Sequence, residues 1–408
     1  MKILSISNDY LSSKGRTNFM GKIHSMADAM RELDILQRKY ANSNGDTFEG
    51  NYSTKLEKEV AESSAAASRG IAAMSEYDDL LRAIELLPPD LPSTKQAKFV
   101  DFVNRVQSSA PQKMSKVAGY DNLKQRMIDD FVISTIGVDK VTNNKVKVPN
   151  AVLLYGPTGT GKSNLAFAIA ELTESFVKRP IFKNEQNSSL DSLLIKQYER
   201  EEKYFELVKQ QCEEAKTNYL RSGSNKKRTV IILDEADSIL SKESSVKHKF
   251  YDLMKNSAEK NKVIFFINSN NPLDLDERFL KPEICGEFNA SMDGSQKRAI
   301  IYMPPATRQD AEAIIRHTFS NMIGHSLGLD SPEPLLDCLF KDSKKLYTNK
   351  RIIQIIKTAN FGLTNNNRRL TINDCVNKLN DGLVGPKINI VEWDNIYAQM
   401  KQIVRNVR

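Results

Sequence analysis

The sequence is poor in the residue types that build metal centres and disulfide frameworks. Only four cysteines and four histidines occur among 408 residues, and they are scattered along the chain. No C-x-x-C pair occurs among the cysteines, which are Cys212, Cys285, Cys338 and Cys375. This spacing argues against zinc-ribbon proteins and small disulfide-stabilised scaffolds. We therefore expect no metal site built from side chains alone.

Long apolar runs are lacking as well. No run approaches the roughly 18 residues that a membrane-spanning helix needs, and the apolar stretch in residues 1–6 is too short for a secretory signal. We therefore expect a cytoplasmic protein without a membrane span. The 59 basic and 51 acidic residues give a formal net charge of +8. That excess leaves nucleic acid open as a partner but does not require it.

The pattern along the chain predicts three regions. Residues 1–112 read as mostly helical, with helical stretches near 20–39 and 54–87 and a short helix from Ser93, and they carry no chemical motif. In residues 113–305 helices alternate with strand-like runs at 151–155, 180–182, 229–233, 263–267 and 299–303. This alternation predicts an α/β core, a parallel sheet with helices on both faces. Residues 306–408 read as all-helical, with helices at 308–322, 334–340, 349–359, 372–379 and 391–407.

A glycine-rich loop carries the clearest chemistry. Residues 156–163 read Gly-Pro-Thr-Gly-Thr-Gly-Lys-Ser, between an apolar strand and a helix, and fit G-x-x-x-x-G-K-[ST]. In such a loop the backbone N–H groups and the helix N-terminus face phosphate oxygens. We expect Lys162 to contact the outer phosphates of ATP and Ser163 to ligate Mg²⁺. The other expected nucleotide contacts in the loop are Pro157, Thr158, Gly159, Thr160, Gly161 and Asn164.

Two later strands should bring polar side chains to the same sheet edge. The run at 229–233 is followed by Asp234 and Glu235. We expect Asp234 to bind the nucleotide's Mg²⁺ and Glu235 to activate the attacking water. The run at 263–267 precedes Asn-Ser-Asn-Asn-Pro, from which Asn270 is the candidate for contacting the γ-phosphate or the water. A plain turn is an equally good interpretation of any single asparagine here.

With these motifs, residues 116–359 resemble the AAA+ ATPases, and within them the AAA family proper, which includes katanin- and spastin-like unfoldases. Residues 117–124, Val-Ala-Gly-Tyr-Asp-Asn-Leu-Lys, resemble the family segment that lies against the adenine. This adds Ala118 and Gly119 to the expected nucleotide contacts. Residues 268–272 resemble the family's A-T-N-x-P, which supports Asn270, and residues 275–282 resemble its l-D-x-A-l-x-R-P.

The resemblance implies a P-loop AAA+ core followed by a small helical lid domain. It also implies a ring, a hexamer, that hydrolyses ATP and acts on a protein client. The N-terminal region would then serve as the partner adaptor.

The sequence departs from the family pattern in two places. Residues 286–289 are Gly-Glu-Phe-Asn, so Glu287 stands where the family has an arginine that reaches the neighbouring subunit's ATP. Arg298 resembles a second family arginine and is the candidate for that role, with Arg278 and Lys281 as fallbacks. The client-gripping motif corresponds to residues 196–203, where Tyr198 is the candidate aromatic. A surface helix continuing to Ala215 explains that segment equally well.

Three functions therefore stay open at this point. The leading one is a ring-forming ATPase that remodels or unfolds a protein. A nucleic-acid-associated, loader-like ATPase is the second, suggested by the net charge and by Ser-Asn-Lys-Lys-Arg at residues 224–228. The third is an ATP-dependent assembly switch with slow turnover, suggested by Glu287.

Overall fold

The computed structural model describes most of the chain beyond residue 90. The described residues are 87, 91–142, 146–181, 190–223, 227–289, 297–322, 331–361, 363, 369–381 and 387–407, with side chains of 190–196 set aside. The helices expected within residues 1–86 lie outside this range. The chain divides into two units, Met1–Asp101 and Phe102–Arg408. The predicted domain boundaries at residues 112 and 305 stay predictions.

A five-stranded parallel sheet forms the centre of the second unit. Its order is β2-β3-β4-β1-β5. The strands are β1 (Ala151–Tyr155), β2 (Phe176–Lys178), β3 (Thr229–Leu233), β4 (Val263–Ser269) and β5 (Ile300–Tyr302). Every residue of β1, β3 and β4 is buried, as expected for strands covered on both faces. The predicted α/β fold with a parallel sheet is confirmed.

One predicted strand was misplaced. The edge strand is Phe176–Lys178, which pairs with residues 229–231 of β3, and of the predicted run residues 180 and 181 are not strand while residue 182 lies outside the described residues. Pro180 has no N–H to donate to a ladder, which disfavours pairing at that residue. Tertiary pairing with β3 selects the Phe-Val-Lys segment, which is too short for its own pattern to be recognised.

Helices precede the sheet and connect its strands. They are α1 (Ser93–Met114), α2 (Asp121–Met127), α3 (Val138–Thr142), α4 (Lys162–Leu172), α5 (Leu190–Arg221), α6 (Lys247–Met254) and α7 (Ser257–Lys260). A π-helical segment, Ile128–Gly137, joins α2 to α3. The helix expected to be short from Ser93 is 22 residues long.

The long helix α5 is fastened to the segment before α6. Glu201, a buried residue of α5, accepts hydrogen bonds from the Ser245 backbone N–H at 3.0 Å and from Ser245 Oγ at 2.5 Å. These bonds supply the partners that a buried carboxylate needs. They tie the helix to the stretch of chain that follows β3.

The C-terminal region is mainly helical, as predicted. Its helices are α8 (Arg308–His317), α9 (Glu333–Leu339), α10 (Asn349–Phe361), α11 (Ile372–Asn380) and α12 (Ile390–Asn406). Capping boxes at Thr307 and Thr371 set the starts of α8 and α11. These helices, apart from α12, share an apolar core of their own.

The final helix packs on the sheet instead. Met400 of α12 is fully buried in the sheet-side core. Trp393 and Tyr397 stack on Tyr302 of β5, with ring centroids 6.3 and 4.9 Å apart. The C-terminal helix therefore packs against β5, an edge strand of the sheet, through aromatic contacts.

The prediction that no strand follows residue 305 was wrong. Lys345–Leu346 (β6) and Ile388–Asn389 (β7) form a small antiparallel pair. Two-residue strands are too short for any hydrophobic periodicity, so only the fold can reveal their pairing. Over the described part of the chain, no helix is both long and apolar enough to cross a membrane.

A buried ion pair offers a test of the core. Arg228 donates to Asp139 Oδ2 from Nε and from one terminal nitrogen, at 3.0 and 2.8 Å, and both side chains are buried. We expect Arg228→Met to lower the free energy of unfolding by about 3–5 kcal/mol, because it leaves the Asp139 carboxylate buried without its main partner. Urea unfolding measures this loss.

The controls separate burial from charge. Adding Asp139→Leu to Arg228→Met should recover most of the loss, since no charge is then left behind. Arg316→Met removes the exposed pair with Glu312 and should cost about 1 kcal/mol at most. A similar small loss for Arg228→Met would contradict the expectation.

Candidate nucleotide-binding site

The polar residues of interest meet at the carboxyl edge of the sheet. The glycine-rich loop follows β1, Asp234 follows β3, and β4 lies between these strands. The register aligns Leu154 with Asn268 and Leu233 with Ile267, which puts Asn268 level with both neighbouring strand ends. Ligands of parallel sheets bind at this edge.

A cavity of about 480 Å³ opens there. Its lining includes eleven of the predicted site residues: Ala118, Thr158, Gly159, Thr160, Gly161, Lys162, Ser163, Asn164, Asp234, Glu235 and Asn270. Pro157 lines an adjoining cavity of about 510 Å³ that shares Thr158, Glu235 and Asn270 with the first. The structure therefore brings the predicted residues of three separate strand ends to one place.

Gly119 has a packing reason for being glycine. Its φ is +72°, and a Cβ there would lie 3.0 Å from Cβ of Asp310. The next residue, Tyr120, donates its backbone N–H to Asp310 at 2.5 Å. Gly119 thus lets this segment approach α8 closely, and its contact with a nucleotide stays a prediction.

The glycines of the loop permit close approach to the surrounding chain. A Cβ on Gly156 would lie 2.1 Å from the Met303 carbonyl oxygen, and one on Gly159, at φ +85°, would lie 2.9 Å from Cβ of Lys350. The Lys350 N–H donates to Gly159 O at 3.0 Å, and Asn349 Nδ2 donates to Thr160 O at 3.0 Å. The start of α10 is therefore fastened to the phosphate-binding loop.

Lys162 is held by its own loop. Its ammonium donates to the carbonyl oxygens of Gly156 and Pro157 at 2.7 and 2.9 Å. Burial lowers the pKa of Lys162 to about 8, against the opposing charges of Asp237 and Asp234. The ammonium group thus lies at the centre of the loop, where a bound phosphate would raise the pKa of Lys162 again by stabilising its charged form.

The Asp234 carboxylate accepts hydrogen bonds from three side chains. Ser163 Oγ and Asn268 Nδ2 donate to Oδ1 at 2.5 and 2.6 Å. Arg179 Nε donates to Oδ2 at 2.5 Å. The carboxylate therefore joins the first turn of α4, the end of β4 and the chain just after β2.

Sequence reasoning missed two of these partners. Asn268 is a buried polar residue of β4 that directly follows the apolar residues 263–267, and that position at the end of a strand was the available signal. The predicted residue of this segment, Asn270, donates its backbone N–H to Asp237 Oδ1 at 3.0 Å. Arg179 belongs to no motif, and only the placement of β2 reveals it.

Glu235 adopts a strained backbone beside the cavity. Its φ is 52°, in the left-handed region that non-glycine residues seldom occupy. Its side chain is exposed and lines both cavities. Such strain is commonest at functional sites, which supports the choice of Glu235 as the residue that faces the reacting water.

The oxygen atoms at the site suit Mg²⁺. Ser163 Oγ and the Asp234 carboxylate are neighbours, and Asn268 Oδ1 is buried without a hydrogen-bond partner. Where side chains are described, no group of three or more His, Cys, Asp or Glu residues could hold a metal ion. The remaining ligands would therefore come from nucleotide phosphates and water, as is usual for Mg²⁺.

The candidates for the trans-acting cation make contacts within their own chain. The Arg298 guanidinium donates to Cys285 O at 2.9 Å and also to Leu280 O. Arg278 pairs with Asp276 at 2.8 Å and lowers the pKa of that carboxyl to about 2. Lys281 follows a short 3₁₀ turn. The trans-acting role of these residues stays a prediction.

The client-gripping segment is helical. Residues 196–203 lie inside α5, which runs to Arg221 and so beyond Ala215. Tyr198 is 53% exposed on that helix. The surface-helix interpretation thus describes the backbone correctly, and contact of Tyr198 with a client stays a prediction.

The basic segment gives the nucleic-acid alternative little support. Arg228 is buried against Asp139 and so is not offered to a partner. Residues 224–226 lie outside the described residues. No described contact in this segment favours the alternative.

Comparison with known proteins agrees with the site. Residues 152–289 match the model of the ATPase family associated with various cellular activities (AAA). The match covers about a third of the chain. The resemblance to AAA ATPases expected from the motifs is thereby confirmed, and the matched segment contains the glycine-rich loop, Asp234, Glu235 and Asn270.

Individual relatives are distant. Over 92 residues the chain is 33% identical to the 26S protease regulatory subunit 6A of Caenorhabditis elegans. Over 92 residues it is 29% identical to the 26S proteasome regulatory subunit 6A of Saccharomyces cerevisiae. Each match covers 22% of this chain and only 20% of the relative. A solved structure, the FIGL-1 AAA domain in complex with ADP, is similar at a TM-score of 0.48 and 20% identity, covering 71% of this chain and 90% of that one.

The position of Lys162 predicts a pH dependence of nucleotide binding. Its pKa is about 8 in the free domain, and bound phosphates should keep it protonated. ATP affinity should therefore be flat below pH 8 and fall by up to about tenfold per pH unit above it, because binding then requires proton uptake. Calorimetry at pH 7 to 9, in buffers of different ionisation enthalpy, measures both effects.

Lys357→Met is the matched control for this experiment. Lys357 also lines the cavity, but it lies on α10 and not in the loop. Its replacement should leave the proton uptake in place. Affinity that is independent of pH between 7 and 9 in the unaltered protein would contradict the assignment to Lys162.

Proposed function

We propose that this chain hydrolyses ATP at the cavity beside Asp234 and uses the energy, as a ring assembly, to remodel a protein client. The observation that carries the proposal is the meeting of Ser163, Asp234 and Glu235 at one sheet edge, next to a glycine loop that encloses Lys162. Phosphate binding, metal binding and water activation thus have residues within one cavity.

Each residue has a distinct task in this proposal. Lys162 and the loop N–H groups bind the phosphates. Ser163 and Asp234 would hold Mg²⁺, which when bound would supply charge neutralisation at the outer phosphates. Glu235 orients and deprotonates the attacking water, and Asn270 holds that water or the γ-phosphate.

Two observations support ring assembly. The exposed Glu235 faces a second cavity, which leaves room for a group from another subunit next to the γ-phosphate. The sequence relatives are named as regulatory subunits of a proteasome or protease, which places those proteins in larger assemblies. A hexamer is the assembly we propose, and the neighbour's Arg298 is the candidate cation.

The first test replaces the proposed base. Glu235→Gln should keep ATP binding and slow turnover by about 100-fold or more, because a general base contributes about that much. Glu243→Gln is the control: it makes the same replacement at an exposed glutamate on the segment that follows, and it should leave both ATP binding and turnover unchanged. Binding is measured by calorimetry and turnover by phosphate release.

The same variant reports on assembly. Stalled with ATP, Glu235→Gln should sediment as a ring of several chains and retain its client. Equal turnover in Glu235→Gln and the unaltered protein would show that this site is not catalytic, and would favour the assembly-switch alternative. A single-chain mass at all concentrations with ATP would contradict the ring.

The second test concerns Tyr198. If this exposed aromatic grips a polypeptide, Tyr198→Ala should abolish the stimulation of ATP turnover by an unstructured model polypeptide while leaving basal turnover intact. Tyr198→Phe should retain the stimulation. Leu220→Ala is the control, because Leu220 is 74% exposed on the same helix. Stimulation that survives Tyr198→Ala would contradict threading along this helix.

A further inference from the structure

Arg179 forms an ion pair with the Asp234 carboxylate, which is also the proposed ligand of Mg²⁺. It follows β2 directly, and its Nε lies 2.5 Å from Asp234 Oδ2. Its guanidinium also lies over the Phe167 ring of α4, 5.8 Å from the ring centroid. Arg179 lines the same cavity as Ser163 and Glu235. Neither the motifs nor the family resemblance pointed to this residue.

Most lone pairs of the Asp234 carboxylate are already engaged. Oδ1 accepts hydrogen bonds from Ser163 and Asn268, and Oδ2 accepts one from Arg179, so three of the roughly four lone pairs of the carboxylate are engaged. A guanidinium stays protonated at all ordinary pH values. It can leave the carboxylate only by moving, and a divalent cation placed beside it would be repelled.

Arg179 is placed so that it can move. Its side chain is 50% exposed, whereas that of Asp234 is 21% exposed. Exposed ion pairs are weak, typically under about 1 kcal/mol. The pair is therefore weak enough for Mg²⁺ to displace Arg179 from the carboxylate.

We propose that Arg179 is a positioning residue that acts as a stand-in cation for Asp234 and competes with the nucleotide's Mg²⁺ for that carboxylate. The inference rests on the proposed nucleotide chemistry, since it concerns the metal of the same site. Without the metal, Arg179 supplies the positive charge that pairs with the Asp234 carboxylate. Metal binding then includes the release of Arg179 toward solvent.

The test measures metal affinity directly. Mn²⁺ serves as the probe, and its binding to the full chain with saturating ADP is followed by electron paramagnetic resonance. Arg179→Gln should bind Mn²⁺ about two- to fivefold more tightly than the unaltered protein, because the competing charge is gone. Arg179→Lys, which keeps the charge, should stay near the unaltered value.

Two further measurements distinguish competition from a purely structural role. The affinity for ADP in EDTA should change less than about twofold in Arg179→Gln. Arg316→Gln, which removes an exposed arginine paired with Glu312, should leave Mn²⁺ affinity unchanged. Unchanged or weaker Mn²⁺ binding in Arg179→Gln would overturn the inference, as would equal tightening in Arg179→Lys.

A different result would contradict the proposed function. If the unaltered protein with ADP binds no Mn²⁺ at Ser163 and Asp234, as judged by an equal signal from Ser163→Ala, the site is not a metal-dependent nucleotide site. Both proposals would then fall together. Binding that depends on Ser163 but not on Arg179 would overturn the competition alone.

Discussion

The Asp234 carboxylate is the interaction on which the rest of the site depends. It lies at the end of a fully buried strand, so its position is set by the sheet and not by a mobile loop. Through its hydrogen bonds it aligns the first turn of α4 with the end of β4. The carboxylate also forms an ion pair with Arg179. The site is thereby kept in order before any ligand arrives.

The parts of the site that could be predicted from the sequence are those with a local cause. The glycine loop needs special backbone angles and a following helix, and both requirements appear as consecutive residues. Asp234 and Glu235 come directly after a strand whose burial makes it continuously apolar. Asn268 and Arg179 could not be deduced in the same way. Their contacts depend on the register of β4 and on where β2 lies in the sheet, and neither is encoded nearby.

The same distinction applies to the fold. The C-terminal helices were predictable because capping residues and apolar spacing act within one helix. The edge strand at Phe176–Lys178 and the β6–β7 pair form only when distant segments meet. Arg298 is a further case: the resemblance makes it the candidate trans-acting arginine, which stays a prediction, but gives no sign that its guanidinium donates to the Cys285 carbonyl oxygen. Pattern alone does not report which partner a long side chain selects.

The bond between Glu201 and Ser245 has a mechanical consequence. Glu201 lies less than one helical turn from the exposed Tyr198, and Ser245 lies on the segment that leads away from Asp234 and Glu235. A buried carboxylate that loses its donors is costly, so this link resists being pulled apart. A force applied to the beginning of α5 would therefore act on these hydrogen bonds, and through them on the segment that contains Ser245.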